Sequence, residues 1–115
     1  MAENSMSNDG GPANPVAEIA AERRRQIGVE GWSAEHDDAH TDESLAVAAA
    51  CYAMPDRKMN RHVRPKVPVD WPWASGWWKP KDRRRDLIRA GALIVAEIER
   101  LDRAAARKST GGESE

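Results

Sequence analysis

The feature that constrains the fold most is a long C-terminal stretch in which apolar or small residues recur at helical spacing. The stripe consists of Leu87, Gly91, Ile94, Ile98 and Leu101, and Val95 widens it. Pro80 and Asp82 mark the start of a helix that should run from about Lys81 to Arg107. No strand pattern of comparable quality exists, so the sheet content is expected to be close to zero.

Two further helices are predicted upstream. The first should begin with Asn14 as its N-cap and Pro15 at its first position, and should end at Gly28. One face of this helix carries Val16, Ile19, Ala20, Arg23 and Ile27. The second should begin with Thr41 as its N-cap and should stop at Pro55. Its apolar face carries Leu45, Ala48, Ala49 and Tyr52.

The segment 56–80, between the second and third helices, is rich in proline and holds four of the five tryptophans. A connection of this length is uncommon in a compact domain unless it is functional or disordered. We expect residues 57–66 to be mobile and residues 69–78 to pack on the helices. The predicted fold class is therefore all-α, a small bundle of about three helices with a Trp- and Pro-rich irregular segment packed on it.

A single domain is expected over residues 15–107. Residues 1–14 and 108–115 are rich in small polar residues and are predicted to be disordered tails. The net charge of −1 favours neither nucleic acid nor a membrane surface as a partner, and one cysteine, Cys51, allows no internal disulfide. No apolar run approaches 18 residues and no signal peptide is recognisable, so a cytoplasmic location is expected.

Acidic residues and histidines are concentrated between Glu35 and His40. Imidazole and carboxylate groups can bind zinc, manganese or iron, which makes Glu35, His36, Asp38 and His40 weak candidates for a metal site. Metal sites usually draw ligands from more than one element, whereas this set comes from one loop. The interpretation we favour is that Asp37, Asp38 and His40 shape the loop, cap the following helix and contact a ligand.

Basic residues are concentrated at the N-terminal end of the long helix: Lys79, Lys81, Arg83, Arg84, Arg85 and Arg89. Cations at this end oppose the helix dipole, so negative charge should lie nearby. One source is the acidic segment 35–43. The other is an anionic ligand held by the guanidinium groups and the helix N-terminus. The two can coexist, and ordinary ion pairing is the favoured interpretation.

The chain has five tryptophans and no phenylalanine, so at least three of the tryptophans are expected to fill the core. Trp77 and Trp78 directly precede Lys79, and aromatic rings beside cations are typical of sites that stack nucleobases and hold phosphates. Trp32, in a glycine-containing loop beside the acidic segment, is the best candidate for a ring that faces a ligand.

Two stretches resemble a group of short, uncharacterised phage and prophage proteins. They are EGWSAEHDDAH, residues 30–40, and WWKPKDRRRDL, residues 77–87, and AEIERLDR near the C-terminus adds to the match. The resemblance covers most of residues 24–103. It implies a viral accessory gene and implies no reaction.

A second, more distant similarity rests on residues that follow the order of one family's pattern: Ile27, Gly31, Trp32, Asp37, Asp38 and His40. The family is the ryanodine-receptor repeat domain, which usually has proline where Thr41 stands here. The resemblance implies a small helical domain that binds an adenine-nucleotide-like ligand. Of the matching residues, it implies ligand contacts for Trp32, Asp37, Asp38 and His40.

We therefore expect a non-enzymatic accessory protein that binds, and in a phage setting sequesters, a nucleotide-like or phosphorylated small molecule without a cofactor. The expected ligand contacts are Trp32, Asp37, Asp38, His40, Trp77, Trp78, Lys81, Arg83, Arg84 and Arg85. Tryptophan would stack a base, arginine would neutralise phosphate, and the acids and histidine would hydrogen-bond ribose or base edges. Two alternatives stay open: a protein-interaction or inhibitor module that acts on a host protein, and a metal-dependent phosphohydrolase. The apolar long helix adds the expectation of a homodimer.

Overall fold

The computed structural model describes residues 14–55, 58–60, 62 and 66–113, with side chains described as far as Ser109. The expected N-terminal tail, apart from Asn14, lies outside these residues, as does about half of the segment expected to be mobile. Among the residues described, no helix combines the length and apolar character needed to cross a membrane.

Four helices form the framework: α1 (Pro15–Gly28), α2 (Ala34–Asp38), α3 (Ser44–Ala53) and α4 (Arg83–Glu113). The segment before α4 contains two-residue strands, β1 (Met59–Asn60) and β2 (Val67–Pro68), which pair antiparallel, and a 3-10 turn, Ser75–Trp77. The predicted all-α class is confirmed.

Local capping explains where the helices begin. Asn14 Oδ1 accepts a hydrogen bond from Ala17 N at 3.2 Å, so the predicted N-cap of α1 is confirmed. In α4, Asp82 Oδ1 accepts from Arg85 N at 2.8 Å, and the helix begins two residues later than expected. The same helix continues to Glu113, six residues beyond its expected end at Arg107, so it includes most of the expected C-terminal tail.

The predicted start of α3 at Thr41 is wrong. The helix begins at Ser44, whose backbone N–H donates to Asp42 Oδ1 at 3.2 Å. In this local turn the Asp42 side chain binds the backbone N–H of Ser44, so the chain forms a turn here and the helix begins after it. It also places Glu43 in the left-handed region at φ 69°, a conformation uncommon for residues other than glycine.

The core lies between α3 and α4. The predicted face of α3 is fully buried: Leu45, Ala48, Ala49 and Tyr52. Small residues on both helices let them approach closely, because Ala90 and Ala96 flank Leu93 on the facing side of α4. Cys51 is also buried, as expected for a small core residue.

The Trp-rich segment closes the core around Tyr52. The Trp78 ring stacks on Tyr52 with centroids 4.5 Å apart, and Trp71 meets Tyr52 edge-on at 5.6 Å. The Tyr52 hydroxyl accepts a hydrogen bond from Lys79 N at 3.0 Å, and burial raises the pKa of this phenol. Trp32, Trp71 and Trp78 are buried, so the expectation that at least three tryptophans serve the core is confirmed.

The apolar stripes of α1 and α4 are not their buried faces. Val16 is 77% exposed and Ile27 is 43% exposed, whereas Glu22, Arg23 and Gln26 are buried. On α4 the large residues of the predicted stripe are each about half exposed: Leu87, Ile94, Ile98 and Leu101. These two helices therefore dock largely through charged side chains, and most of the large residues of their apolar stripes face outward.

The charged contact centres on Glu22, whose side chain is fully buried. Its carboxylate accepts hydrogen bonds from Arg25, at 2.8 Å, and from Arg85, and it lies 3.7 Å from Arg89 Nε. Burial raises the pKa of Glu22, but the hydrogen bond from Arg25 and the three positive charges outweigh it, so the pKa lies below its ordinary value. Arg84 pairs in the same way with Glu18 at 2.8 Å.

These pairings predict acid-induced unfolding. The pKa values of Glu18, Glu22 and Asp38 are all lowered in the folded protein, chiefly by hydrogen bonds from arginine for Glu18 and Asp38. A carboxyl whose pKa is depressed on folding stabilises the protein above its unfolded pKa, and this stabilisation is lost as the pH falls through the folded value. We expect the melting temperature to be level from pH 7 to about 5 and to fall steeply below about pH 4. Circular dichroism melts across this range would contradict the expectation if the melting temperature at pH 3 matched that at pH 6.

Candidate ligand-binding site

The loop between α1 and α3 is held in one conformation by a few local contacts. Gly31 adopts φ +78°, which lets the chain turn back so that Trp32 N donates to Gln26 O at 2.9 Å. Ser33 Oγ accepts from His36 N at 3.2 Å and caps α2. The single helical turn that follows places His36 and His40, four residues apart, on the same side.

Beneath the loop, Asp37 anchors it to the helices. Its side chain is fully buried and accepts a hydrogen bond from Arg23 Nη2 at 2.7 Å. Arg23 also donates to Trp32 O at 3.4 Å and to Glu99 on α4 at 3.0 Å. One buried guanidinium therefore ties the loop to α1 and α4, and the role of Asp37 is to position the loop rather than to face a ligand.

Asp38 is also engaged in holding the loop. Its carboxylate accepts from Arg103 Nη2 at 2.8 Å and from Arg107 Nη1 at 3.3 Å, both on α4. The hydrogen bond from Arg103 is the main reason that the pKa of Asp38 is lowered. Of the acids predicted to contact a ligand, both Asp37 and Asp38 are thus bound to arginines of the fold.

Above the loop lies a cavity of about 210 Å³, hereafter the aromatic pocket, with a lining that is almost entirely aromatic: Trp32, His36, His40, Trp73, Ala74 and Trp77. Trp32 forms one wall and lies 5.5 Å from Trp73 and 6.0 Å from Trp77, measured between ring centroids. The His40 ring meets Trp73 edge-on at 5.5 Å, and the two imidazoles are 4.6 Å apart.

The hydrogen bonds of the two histidines define what they can offer to a ligand. His40 Nδ1 lies 2.9 Å from His36 O, and a carbonyl oxygen only accepts, so this nitrogen carries the proton. His36 Nδ1 lies 3.2 Å from Asp37 Oδ1, and the same reasoning applies to a carboxylate oxygen. In its neutral form each ring therefore has Nε2 as a hydrogen-bond acceptor.

The ring of Trp73, which also lines the pocket, carries a further hydrogen-bond donor. Its indole Nε1 is buried and has no hydrogen-bond partner among the residues that the structure describes. A buried donor without a partner costs about 1–3 kcal/mol, so an acceptor that reached this nitrogen would recover part of that cost.

Lys79 lies beside one wall of the aromatic pocket. Its Nζ lies 5.3 Å from the centroid of the Trp77 ring and 3.5 Å from Glu30 Oε1. Lys81 is exposed, and its backbone N–H donates to Asp86 Oδ1 at 2.7 Å.

The arginines of α4 are not gathered at the pocket. Arg83 donates to the last carbonyl groups of α3, those of Tyr52 and Ala53, while Arg84 and Arg85 pair with Glu18 and Glu22 of α1. Ion pairing is the favoured interpretation of this basic run, and the structure contains such pairs. The partners, however, are Glu18 and Glu22 of α1 and Glu30 of the loop that follows it, and not the acidic segment 35–43.

The structure thus brings together only part of the predicted site. Trp32, His40 and Trp77 line the pocket, whereas Trp78 is buried against Tyr52 and the arginines and aspartates lie elsewhere. Sequence reasoning missed Trp73, which it treated only as packing, and considered His36 only as a metal ligand. Within the described ranges, no group of three or more histidine, cysteine or acidic side chains could hold a metal ion.

No family model, no curated protein and no solved structure matches the chain.

Proposed function

We propose that the chain is a non-enzymatic binding protein whose aromatic pocket receives the heteroaromatic ring of a nucleotide-like small molecule. The observation that carries this proposal is that three indoles and two imidazoles surround one cavity. Stacking of a base on an aromatic side chain contributes about 1–3 kcal/mol, and a pocket with several such rings can hold a planar ligand without a charged group inside it.

The size of the pocket limits how much of the ligand it encloses. Its volume of about 210 Å³ is smaller than the roughly 300–1,000 Å³ of pockets that bury drug-sized molecules. A base-sized ring fits, and the ribose and phosphates would remain outside. Lys79, beside the Trp77 ring, is the cation placed to meet a phosphate there, with exposed Lys81 two residues further on.

Hydrogen bonding gives the pocket a preference among bases. The two Nε2 acceptors favour a ring with an exocyclic amino group, because that group can donate to an imidazole nitrogen. Adenine and cytosine derivatives should therefore bind more tightly than uracil derivatives. In the viral setting that the sequence resemblance implies, capture of a nucleotide signal would be the biological role of such a module.

A second candidate is the protein-interaction module. Trp77 is 41% exposed, and exposed tryptophan often anchors a protein interface. The concave shape of the pocket favours a small ligand over a flat protein surface. The phosphohydrolase is not proposed, because Asp38, one of its required ligands, is bound to arginines of α4.

Calorimetric titration with adenosine, AMP, cyclic AMP and ADP-ribose, and with their cytosine and uracil counterparts, tests the proposal. We expect saturable binding, and we expect Trp77→Ala to weaken it by about tenfold or more, because one stacking face is lost. His40→Ala should reduce the preference for amino-bearing bases.

Arg84→Ala is the matched control, because it removes a positive charge that lies outside the lining of the aromatic pocket. Arg84 pairs with Glu18 on the surface, so the affinity should stay within about twofold of the parent value, since an exposed pair contributes little. Absence of binding across the panel would contradict the proposal and direct attention to a protein partner. Binding that is lost in Arg84→Ala but kept in Trp77→Ala would place the site at α4 instead.

A further inference from the structure

The outward apolar stripes of α1 and α4 form a second surface, which shares no residue with the lining of the aromatic pocket. Its large residues, hereafter the apolar face, are Val16, Ile19 and Ile27 of α1 and Leu87, Ile94, Ile98 and Leu101 of α4. Five of the seven are between 43% and 52% exposed, and Val16 is 77% exposed. A groove of about 540 Å³ adjoins the face on its α1 side, where Val16, Ile19 and Ile27 line it together with Val95 and the charged side chains of Arg23, Arg24 and Glu99.

The two helices form one continuous face because they approach closely at Gly91. A Cβ atom at this position would lie 2.8 Å from Ile19 Cδ1, so the absence of a side chain allows Ile19 to rest on α4. The exposed apolar area is on the order of 500 Å², which is near the largest patches found on monomeric proteins.

The outward side of α4 has the spacing of a coiled-coil seam. Residues 87, 91, 94, 98, 101 and 105 alternate in steps of four and three, and all of them are apolar or small. A helix that is apolar on its inner and outer sides is normally buried on both. The inner side of α4 packs on α3, and Ile19 of α1 covers Gly91. The four large residues of the outer side remain about half exposed among the described residues: Leu87, Ile94, Ile98 and Leu101.

The composition of the undescribed N-terminal residues argues against this segment as the partner. Residues 1–13 contain Met1 and Met6 as their only large apolar side chains. Two methionines among glycine, serine, asparagine and acidic residues cannot match seven large apolar residues spread over two helices.

We propose that the apolar face binds the same face of a second copy of the chain, with the two α4 helices antiparallel. The spacing of the seam defines two alternating sets of positions, and in an antiparallel pair a position of one set faces a position of the other. A two-fold axis between residues 92 and 93 therefore places Leu87 of one copy against Ile98 of the other and Gly91 against Ile94, as an isologous interface requires. The apolar stripes of the two α1 helices extend the interface on the same side. The dimer interface therefore consists of four helices, α1 and α4 of each copy.

Charges at the ends of the seam favour the same orientation. Arg84 flanks its N-terminal end and Asp102 flanks its C-terminal end, both at the surface. An antiparallel pair brings each Arg84 near an Asp102, whereas a parallel pair sets like charges side by side. Arg84 already pairs with Glu18, so this contact selects orientation more than it adds affinity.

Sedimentation equilibrium of the full chain, over a range of concentrations, tests the proposal. We expect a monomer–dimer equilibrium, and we expect Ile94→Glu to raise the dissociation constant by about a hundredfold or more, because each copy would bring a carboxylate into the apolar interface beside the two-fold axis. Ile94 is half exposed, so circular dichroism should show an unchanged helical fold. Val69→Glu, at a 59% exposed valine outside the face, is the matched control and should leave dimerisation unchanged.

Disulfide trapping tests the orientation. Leu87→Cys and Ile98→Cys variants, mixed and oxidised, should give the mixed disulfide between positions 87 and 98 in large excess over the 87–87 and 98–98 disulfides. Native Cys51 is buried and does not compete. A chain that stays monomeric at every concentration overturns the proposal, as does a dimer that Ile94→Glu leaves intact. Trapping of Leu87 with Leu87 overturns the antiparallel arrangement.

Discussion

Replacing Glu22 by Gln is expected to lower the free energy of unfolding by about 3–5 kcal/mol, the usual cost of removing one partner from a buried ion pair. The amide keeps the size of the side chain but removes the charge that three arginines share. Arg89 is itself buried, and its guanidinium would lose the carboxylate that lies 3.7 Å from its Nε. A domain of this size has a total stability of about 5–15 kcal/mol, and urea denaturation followed by circular dichroism should show the change directly.

Glu18→Gln is the control for this substitution. Glu18 lies one helical turn earlier on α1 and also pairs with an arginine of α4, but the pair is exposed to solvent. Exposed ion pairs contribute little to stability, so this variant should unfold at nearly the same urea concentration as the parent. Equal losses for the two substitutions would mean that burial of Glu22 does not determine its contribution.

The contrast between α1 and α3 explains what the sequence could and could not predict about the fold. In α3 one face is apolar and contains the large residues, so its orientation follows from periodicity alone. In α1 two faces compete, an apolar one with Val16 and Ile27 and a charged one with Glu22. The outcome depends on Arg85 and Arg89, which are more than sixty residues away in the chain, and periodicity carries no information about such a pairing.

In the candidate site, too, some features follow from local sequence and others depend on residues that are distant in the chain. Local rules locate the loop, its serine cap and the spacing of His36 and His40, because each depends on residues within one helical turn. The partners of Arg83, Arg84 and Arg85 could not be predicted from the sequence. The acids that pair with Arg84 and Arg85 belong to α1 and not to the acidic loop. The aromatic content of the pocket could be anticipated from Trp32, but the contribution of Trp73 depends on how the Pro-rich segment folds back.

The second prediction concerns two adjacent tryptophans, of which one should matter for folding and the other for ligand binding. Trp78 is 6% exposed and stacks on Tyr52, whereas Trp77 is 41% exposed and lines the aromatic pocket. Trp78→Ala should lower the free energy of unfolding by about 3–5 kcal/mol, because the core would contain a cavity of indole size. Trp77→Ala should lower it by about 1 kcal/mol or less, since much of this ring is already in contact with solvent.

Binding should show the opposite order. Trp78→Phe keeps an aromatic ring against Tyr52 and is expected to fold, so its affinity for an adenine nucleotide should remain within about twofold of the parent value. Trp77→Ala should fold normally and lose about tenfold or more in affinity. If Trp78→Phe weakened binding as much as Trp77→Ala does, the pocket would depend on the core rather than on its own lining. If neither variant changed the affinity, the ligand would bind outside the aromatic pocket.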